Sequence, residues 1–142
     1  MLKRLLVVVF AVSLYAAPVH GKQVTPDWVK TRYKSGQSCP EWEYLLKQYK
    51  LPVVLFSYTM HRESRCRPGA VNARWRNGKI VWTLNRNGTY DSGLLQINSS
   101  WRTVTRQVCG GGLTELFDPV CNVKVAAHLY HGSGAGHWGY RG

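Results

Sequence analysis

The chain has 142 residues, 19 Lys and Arg against 7 Asp and Glu, a net charge of +12, and 4 cysteines. That length suffices for one domain with a modest core and excludes two of ordinary size. The charge implies an anionic partner, either nucleic acid, an acidic membrane or an anionic wall polymer. The cations are scattered rather than gathered on one element, which argues against a nucleic-acid binder.

In chain order, the first segment reads as a leader. Lys3 and Arg4 precede an apolar run over residues 5–17, relieved only by Ser13 and Tyr15, and Val19 and Gly21 suit a signal-peptidase site. The run is shorter than the roughly 20 apolar residues of a membrane span, so export is expected and stable membrane insertion is not. An uncleaved anchor is the alternative. Cleavage after residue 21 would remove two cations and no carboxylate, taking the charge from +12 to +10 and leaving residues 22–142 as one domain.

Residues 22–37 are polar and read as an irregular lead-in. Ser38-Cys-Pro-Glu41 fits a capping box, and Trp42, Leu45, Leu46 and Tyr49 then follow at helical spacing. Glu43 and Lys47 fit an exposed i, i+4 pair on that helix. Pro52 starts a second helix reaching about Glu63, whose stripe Phe56, Met60 and Glu63 is apolar until its last member. Cys66-Arg-Pro-Gly69 ends it. The period then changes. Residues 71–75 and 80–84 flank Asn77-Gly78, the dipeptide favoured in a type I′ hairpin turn. Asn87-Gly88 marks another turn before Thr89-Tyr90-Asp91, giving a small three-stranded antiparallel meander. Asp91 could then cap a short helix through Leu94, Leu95 and Ile97. Asp118-Pro119 opens the last clear helix, with Val120, Val123, Ala127 and Tyr130 on one side. The expected class is α+β, a mainly helical body with one small sheet.

Four cysteines in an exported chain of this size suggest two disulfides. Cys39 opens one predicted helix and Cys66 follows the next, while Cys109 and Cys121 flank a Gly-rich loop. The favoured pairing is Cys39–Cys66 with Cys109–Cys121. A metal centre is not expected. No Cys-x-x-Cys occurs, and His128 and His131, at i, i+3, have no further ligand at suitable spacing. His61-Arg-Glu63 has the His-x-Glu of zinc deaminases without their Pro-Cys-x-x-Cys. No cofactor is expected.

The seven carboxylates can be weighed singly. Asp27 lies in the lead-in, Glu41 and Asp118 suit caps, Glu43 a solvated face and Glu115 a loop. Glu63 and Asp91 remain. A carboxyl on the apolar face at Glu63 would be desolvated, disfavouring its ionised form, as a general acid near neutral pH requires. An ion pair with Arg62, Arg65 or Arg67 is the competing role. Asp91, at the end of the sheet, could face Glu63 across a cleft, and two flanking carboxyls are the usual apparatus of glycoside cleavage. Asp91 would equally serve as an N-cap.

A resemblance bears on that choice. Asp91-Ser-Gly-Leu-Leu-Gln-Ile-Asn-Ser-Ser-Trp101 resembles the Asp-x-Gly-Ile/Leu-Leu-Gln-Ile-Asn-Ser segment of animal c-type lysozymes, followed there by tryptophan. It is also similar to the Ser-x-Gly-Leu-x-Gln motif of lytic transglycosylases. Glu63-Ser64 followed by Ala70-Val-Asn72 resembles the transglycosylase Glu-Ser and Ala-x-Asn motifs. Asp118-Pro-Val-Cys-Asn122, leading into Val125-Ala-Ala, is similar to the Asp-Pro-x-x-Asn helix start of the superfamily. The matches run in order over residues 63–127.

The resemblance implies a lysozyme-like fold and a secreted enzyme acting on peptidoglycan glycan strands. Its bond would be the β-1,4 link from N-acetylmuramic acid to N-acetylglucosamine. By position Glu63 would be the acid and Asp91 the second carboxylate. Gln96 and Asn98 would line the cleft, with Asn98 bonding an N-acetyl group. Trp101 would stack on a sugar, and Ser92 would sit near the acid. Three departures stand out. The 28 positions from Glu63 to Asp91 exceed the lysozyme spacing, the cysteine pattern is not that of animal lysozymes, and the late Ala-x-Tyr-Asn motif of transglycosylases is missing. Tyr130 and Tyr140 are the candidate substitutes for that tyrosine. Hydrolysis and transglycosylation, which leaves a 1,6-anhydro end, stay open, and a non-catalytic glycan-binding protein is the alternative. The positive charge would hold the protein at an anionic cell-wall surface.

Overall fold

The computed structural model of the chain describes residues 24–82 and 84–141, so the leader read at residues 1–21 lies outside the described residues. In chain order its elements are α1 (Asp27–Lys34), α2 (Glu43–Gln48), α3 (Val53–Ser64), β1 (Ala73–Arg76), β2 (Lys79–Trp82), β3 (Asp91–Ser92), β4 (Ile97–Asn98), α4 (Arg102–Cys109) and α5 (Pro119–Ser133). Short 3₁₀ turns at Pro40–Trp42, Ser99–Trp101, Leu113–Phe117 and Gly134–Trp138 complete it. The α+β class holds, with a helical body and small antiparallel ladders. Among the described residues no helix is long and apolar enough to cross a membrane.

Two helices carry the core. Pro52 caps α3, its fixed φ of −60° suiting a helix start and its missing N–H costing nothing there. Phe56 and Met60, on the predicted stripe, are almost fully buried, each worth about 2–3 kcal/mol of apolar transfer. Asp118 caps α5 by accepting from the Cys121 amide at 2.8 Å. The Phe56 ring meets Tyr130 of α5 and Trp138 of the tail edge-on, with centroids 5.2 and 4.9 Å apart. The described cysteines are joined as Cys39–Cys66 and Cys109–Cys121, with Cα atoms 5.5 and 5.6 Å apart. This is the pairing favoured from the helix order, and loops of these lengths correspond to about 3–4 kcal/mol each in the chain-entropy account.

Several expectations are corrected. The lead-in is partly helical, because Val29 is fully buried against the body and Trp28 sets its ring edge on Tyr58, so α1 packs on α3. The capping box at Ser38 does not form. Pro40 starts a 3₁₀ turn with no side-chain cap, and the Cys39 amide donates instead to Ser57 Oγ at 2.8 Å. Glu43 does not sit on a solvated face with Lys47. Its Oε1 accepts from Ser57 Oγ (2.8 Å) and Tyr33 Oη (3.1 Å), drawn inward by two donors that sequence spacing does not reveal. Desolvation, aided by the hydrogen bond to that carboxylate and its charge, holds the Tyr33 hydroxyl above the usual tyrosine range.

The three-stranded meander is also corrected. β1 and β2 pair antiparallel around Asn77-Gly78, whose φ values of 51° and 71° are the two positive ones a type I′ turn needs. The third segment does not extend that ladder. β3 pairs with β4, making two separate two-stranded ladders, with a single bridge from Val71 to Ser92. Nor does Asp91 cap a helix. Residues 93–96 form the tight turn of a hairpin in which Gly93 (φ 79°) and Gln96 (φ 47°) are left-handed. Leu94 and Leu95 are both fully buried under that turn, which helical periodicity could not have foreseen.

Candidate active site

The β3–β4 hairpin brings most of the sequence-predicted site together. Asp91 stands opposite Asn98 in the ladder, and its Oδ1 accepts from Asn98 Nδ2 at 2.7 Å. Its Oδ2 accepts from Asn85 Nδ2 (3.0 Å) and Asn72 Nδ2 (3.3 Å), and Asn72 Oδ1 in turn takes the Asp91 amide at 3.1 Å. An ionised carboxylate is an acceptor only, and here neutral amides approach it from three segments of chain. Asp91, Gln96, Asn98 and Trp101 all line one pocket of about 230 Å³, completed by Ile97, Leu129, His137 and Trp138. The His137 ring stands edge-on to Trp101, with centroids 5.2 Å apart, so one end of the pocket is an aromatic wall.

Two of these side chains are already committed. Asn98 gives both amide hydrogens internally, to Asp91 and to Thr89 Oγ1 (2.9 Å), while its Oδ1 accepts from the Ser100 amide (3.0 Å). Gln96 Nε2 donates to the Ala70 and Gly93 carbonyls at 3.1 and 2.9 Å, tying the turn to the segment that follows α3.

Ser92 is not in the pocket lining. It is buried, and its hydroxyl has no hydrogen-bond partner among the described residues. Its carbonyl is held by Asn122, whose amide is fully used: Nδ2 donates to the Ser92 and Leu116 carbonyls and Oδ1 accepts from the Leu95 amide, each at 2.9 Å. Trp138 Nε1 donates to the Leu95 carbonyl at 2.9 Å. The Leu95 peptide is therefore gripped on both sides, by α5 and by the tail.

Glu63 lies outside the pocket lining, in the last turn of α3. The apolar stripe does not bury it completely. Its side chain is 28% exposed, and Oε1 accepts from Arg62 Nε (2.9 Å) and Nη2. Of the three arginines considered as partners, the structure selects Arg62. That guanidinium also donates to the Trp138 carbonyl at 2.7 Å and lies over the Tyr140 ring, 4.9 Å from its centroid. Arg62 thus links the Glu63 carboxylate to the residue whose ring closes the pocket. The connection is local, since neighbours in a helix diverge and only a bent-back guanidinium can meet the adjacent carboxylate.

The two tyrosines proposed as substitutes separate here. Tyr130 packs on Phe56 and His131, whereas Tyr140 sits beside Arg62 with its hydroxyl 3.0 Å from Thr59 Oγ1. Burial raises the Tyr140 hydroxyl above the usual tyrosine range. The Thr59 bond and Arg62 act against that rise, and Tyr58 and Glu63 add to it. Sequence reasoning missed Asn85, His137 and Trp138. Asn85 is brought in by the Asn87-Gly88 turn, where the Asn85 amide and carbonyl bond Thr89 and Gly88. The aromatic tail carried no periodic signal for the other two.

A family model described as the transglycosylase SLT domain matches residues 41–133, from the turn before α2 to the end of α5. No curated protein and no solved structure matches the chain.

Proposed function

The chain belongs to the transglycosylase SLT domain family, and on that premise we propose that it cleaves peptidoglycan strands between N-acetylmuramic acid and N-acetylglucosamine. Glu63 is the general acid. Protonated, it gives its proton to the glycosidic oxygen as the C1–O bond breaks; as the carboxylate, it takes the proton of the muramic 6-hydroxyl that attacks C1. The product is a 1,6-anhydro end, and water is not consumed. The observation that carries this reading is the aromatic-walled pocket holding Asp91, Gln96, Asn98 and Trp101, joined to Glu63 through Arg62 and Trp138.

Asp91 acts in this reading as a fixed negative charge that favours the oxocarbenium-like sugar, not as a nucleophile. Both its oxygens accept hydrogen bonds from amides, which draw charge from them and make the carboxylate a weaker nucleophile. Trp101 supplies a stacking face, and Asn98 can take a further donor only on Oδ1. Tyr140 replaces the missing family tyrosine beside the acid. Ser92 is fixed beneath the site through its carbonyl, which accepts from Asn122 Nδ2. The two disulfides and the proposed substrate support an enzyme that works outside the cytoplasm.

Asp91 in the pocket also supports a second reading, hydrolysis with two carboxylates. Mass spectrometry of the soluble products after digestion of purified peptidoglycan separates the two. Anhydromuramic ends are expected, and reducing muramic ends would overturn the transglycosylase step and move Asp91 into the chemistry. The Glu63→Gln variant should release no product while still sedimenting with the wall. Release at the normal rate would remove Glu63 as the acid, and binding without release by the unaltered protein would make the chain a glycan-binding protein.

A further inference from the structure

A second concavity, away from the Asp91 pocket, has a different chemical character. It encloses about 140 Å³ between the end of α1 and the end of α3, and its lining is Arg32, Gln37, Tyr58, His61, Arg62 and Arg65. Three guanidinium groups, an imidazole, an amide and a phenol converge there, with no carboxylate in the lining.

The local folding explains why these donors point together. α1 ends in a tight reversal, with the Gln37 amide bonded back to the Arg32 carbonyl at 3.0 Å, and Arg32 Nη1 reaching Gln37 Oε1 at 3.4 Å. On α3, His61 and Arg65 are one turn apart. Arg65 Nη1 lies 3.3 Å from His61 Nδ1. A guanidinium only donates, so Nδ1 is the acceptor and Nε2 carries the imidazole proton. Arg65 itself adopts φ 54° as the helix ends, which swings it back over the last turn. The corner is rigid, because Cys66, the next residue, is bonded to Cys39 and its carbonyl accepts from Trp42 Nε1 at 3.0 Å.

The charge balance at this corner is one-sided. Arg62 is spoken for by Glu63 and the Trp138 carbonyl. Among the described residues, neither Arg32 nor Arg65 makes an ion pair with a carboxylate, so two cations face the concavity with most of their donors unused. Like charges so arranged repel one another unless an anion sits between them. The donors come from three segments and several directions. A carboxylate, planar and with two oxygens, is filled by one guanidinium fork, whereas a phosphoryl group offers oxygens in tetrahedral directions and suits donors on several sides.

We propose that this concavity is a binding site for a phosphoryl anion, held mainly by Arg32 and Arg65 with His61 and Tyr58 as supporting donors. The site does not depend on which carboxyl does the glycan chemistry. Its ligand is either a phosphodiester of an anionic polymer or a free phosphate.

Nuclear magnetic resonance of the full chain, following the arginine Nε–H and His61 ring signals, tests this directly. Titrants are inorganic phosphate, a glycerol-phosphate polymer and, at matched ionic strength, acetate. Saturable shifts confined to Arg32, His61, Arg62 and Arg65 are expected with phosphate and not with acetate. The paired substitution Arg32→Gln and Arg65→Asn should weaken phosphate binding roughly tenfold or more. Both side chains are exposed, and Asn tolerates the left-handed backbone at residue 65. Tighter binding of the polymer than of free phosphate through the same signals identifies the polymer as the source; phosphate binding alone identifies a small anion. Equal response to acetate, non-saturating shifts, or a double variant that still binds as tightly would each overturn the site.

Discussion

The two hairpins of this protein are built from similar parts and held in opposite ways. β1–β2 turns on Asn77-Gly78, and its dense contacts are between its own strands. Nothing lies within 4 Å of where a side chain on Gly78 would start. β3–β4 is half as long, yet its turn is clamped. Asn122 from α5 holds the Ser92 carbonyl and the Leu95 amide, Trp138 holds the Leu95 carbonyl, and a Cβ on Gly93 would fall on Asn122 Nδ2 and the Leu116 carbonyl oxygen. The first hairpin is specified by its own turn dipeptide and strand pairing. The second exists because the helical body grips it, and that hairpin carries Asp91 and Asn98. A short ladder is thereby held firmly enough to present a carboxylate, which two residue pairs of backbone bonding could not do unaided.

The same substitution in the two turns gives the largest contrast. Gly93→Ala should cost about 4 kcal/mol, a large share of the roughly 5–15 kcal/mol that holds a domain together, because both the positive φ and backbone contact oppose it. Denaturant unfolding measures this, and a cost equal to that at Gly78 would show that the clamp is not tight. Asn122→Ala removes the clamp itself, leaving the Leu95 amide and two carbonyls without their partner. A loss of about 3 kcal/mol is expected in the same experiment, with the Trp138 fluorescence shifted as its neighbour peptide loosens. Gly78→Ala should cost only about 1 kcal/mol, the strain of an L-residue at φ 71° in open space. A larger loss would mean that the first hairpin, too, is held from outside.

The smallest effect concerns the tail that closes the clamp. Tyr140 keeps its proton more tightly in the fold than in the unfolded chain, chiefly through burial. Its contribution to stability is therefore complete below the ordinary tyrosine range and is lost as pH rises through the raised folded value. Thermal melts across that alkaline window should show a shallower decline for Tyr140→Phe than for the parent chain, with part of the slope remaining from Tyr33 and Tyr130, which are also raised. An unchanged slope would take Tyr140 out of the alkaline transition.

Much of the frame is local and was therefore legible. Pro52 and Asp118-Pro119 mark helix starts through fixed φ and capping, Asn77-Gly78 marks its turn through positive φ, and the order of helices makes one cysteine pairing short. Glu43 shows where this stops. Its spacing to Lys47 suggested a solvated pair, but Ser57 and Tyr33, 14 and 10 positions away, decide its direction. Glu63 shows the same from the other side, because the apolar stripe implied burial while a bent-back Arg62 keeps it paired and partly exposed.

For the site, the sequence alone determined which carboxylates and amides were available and, by motif, the family of the chain. Periodicity, caps and turn dipeptides act over a few residues, so a single strand of sequence records them. The tertiary structure decided that Asp91 faces a pocket instead of capping a helix, that Arg62 rather than Arg65 or Arg67 takes Glu63, and that Tyr140 lies under the Arg62 guanidinium while Tyr130 packs on Phe56. Each of those choices is made by groups far apart in the chain, Asn72 and Asn98 for Asp91, Trp138 for Arg62, Thr59 for Tyr140. Their hydrogen bonds exist only once packing has brought the segments into contact.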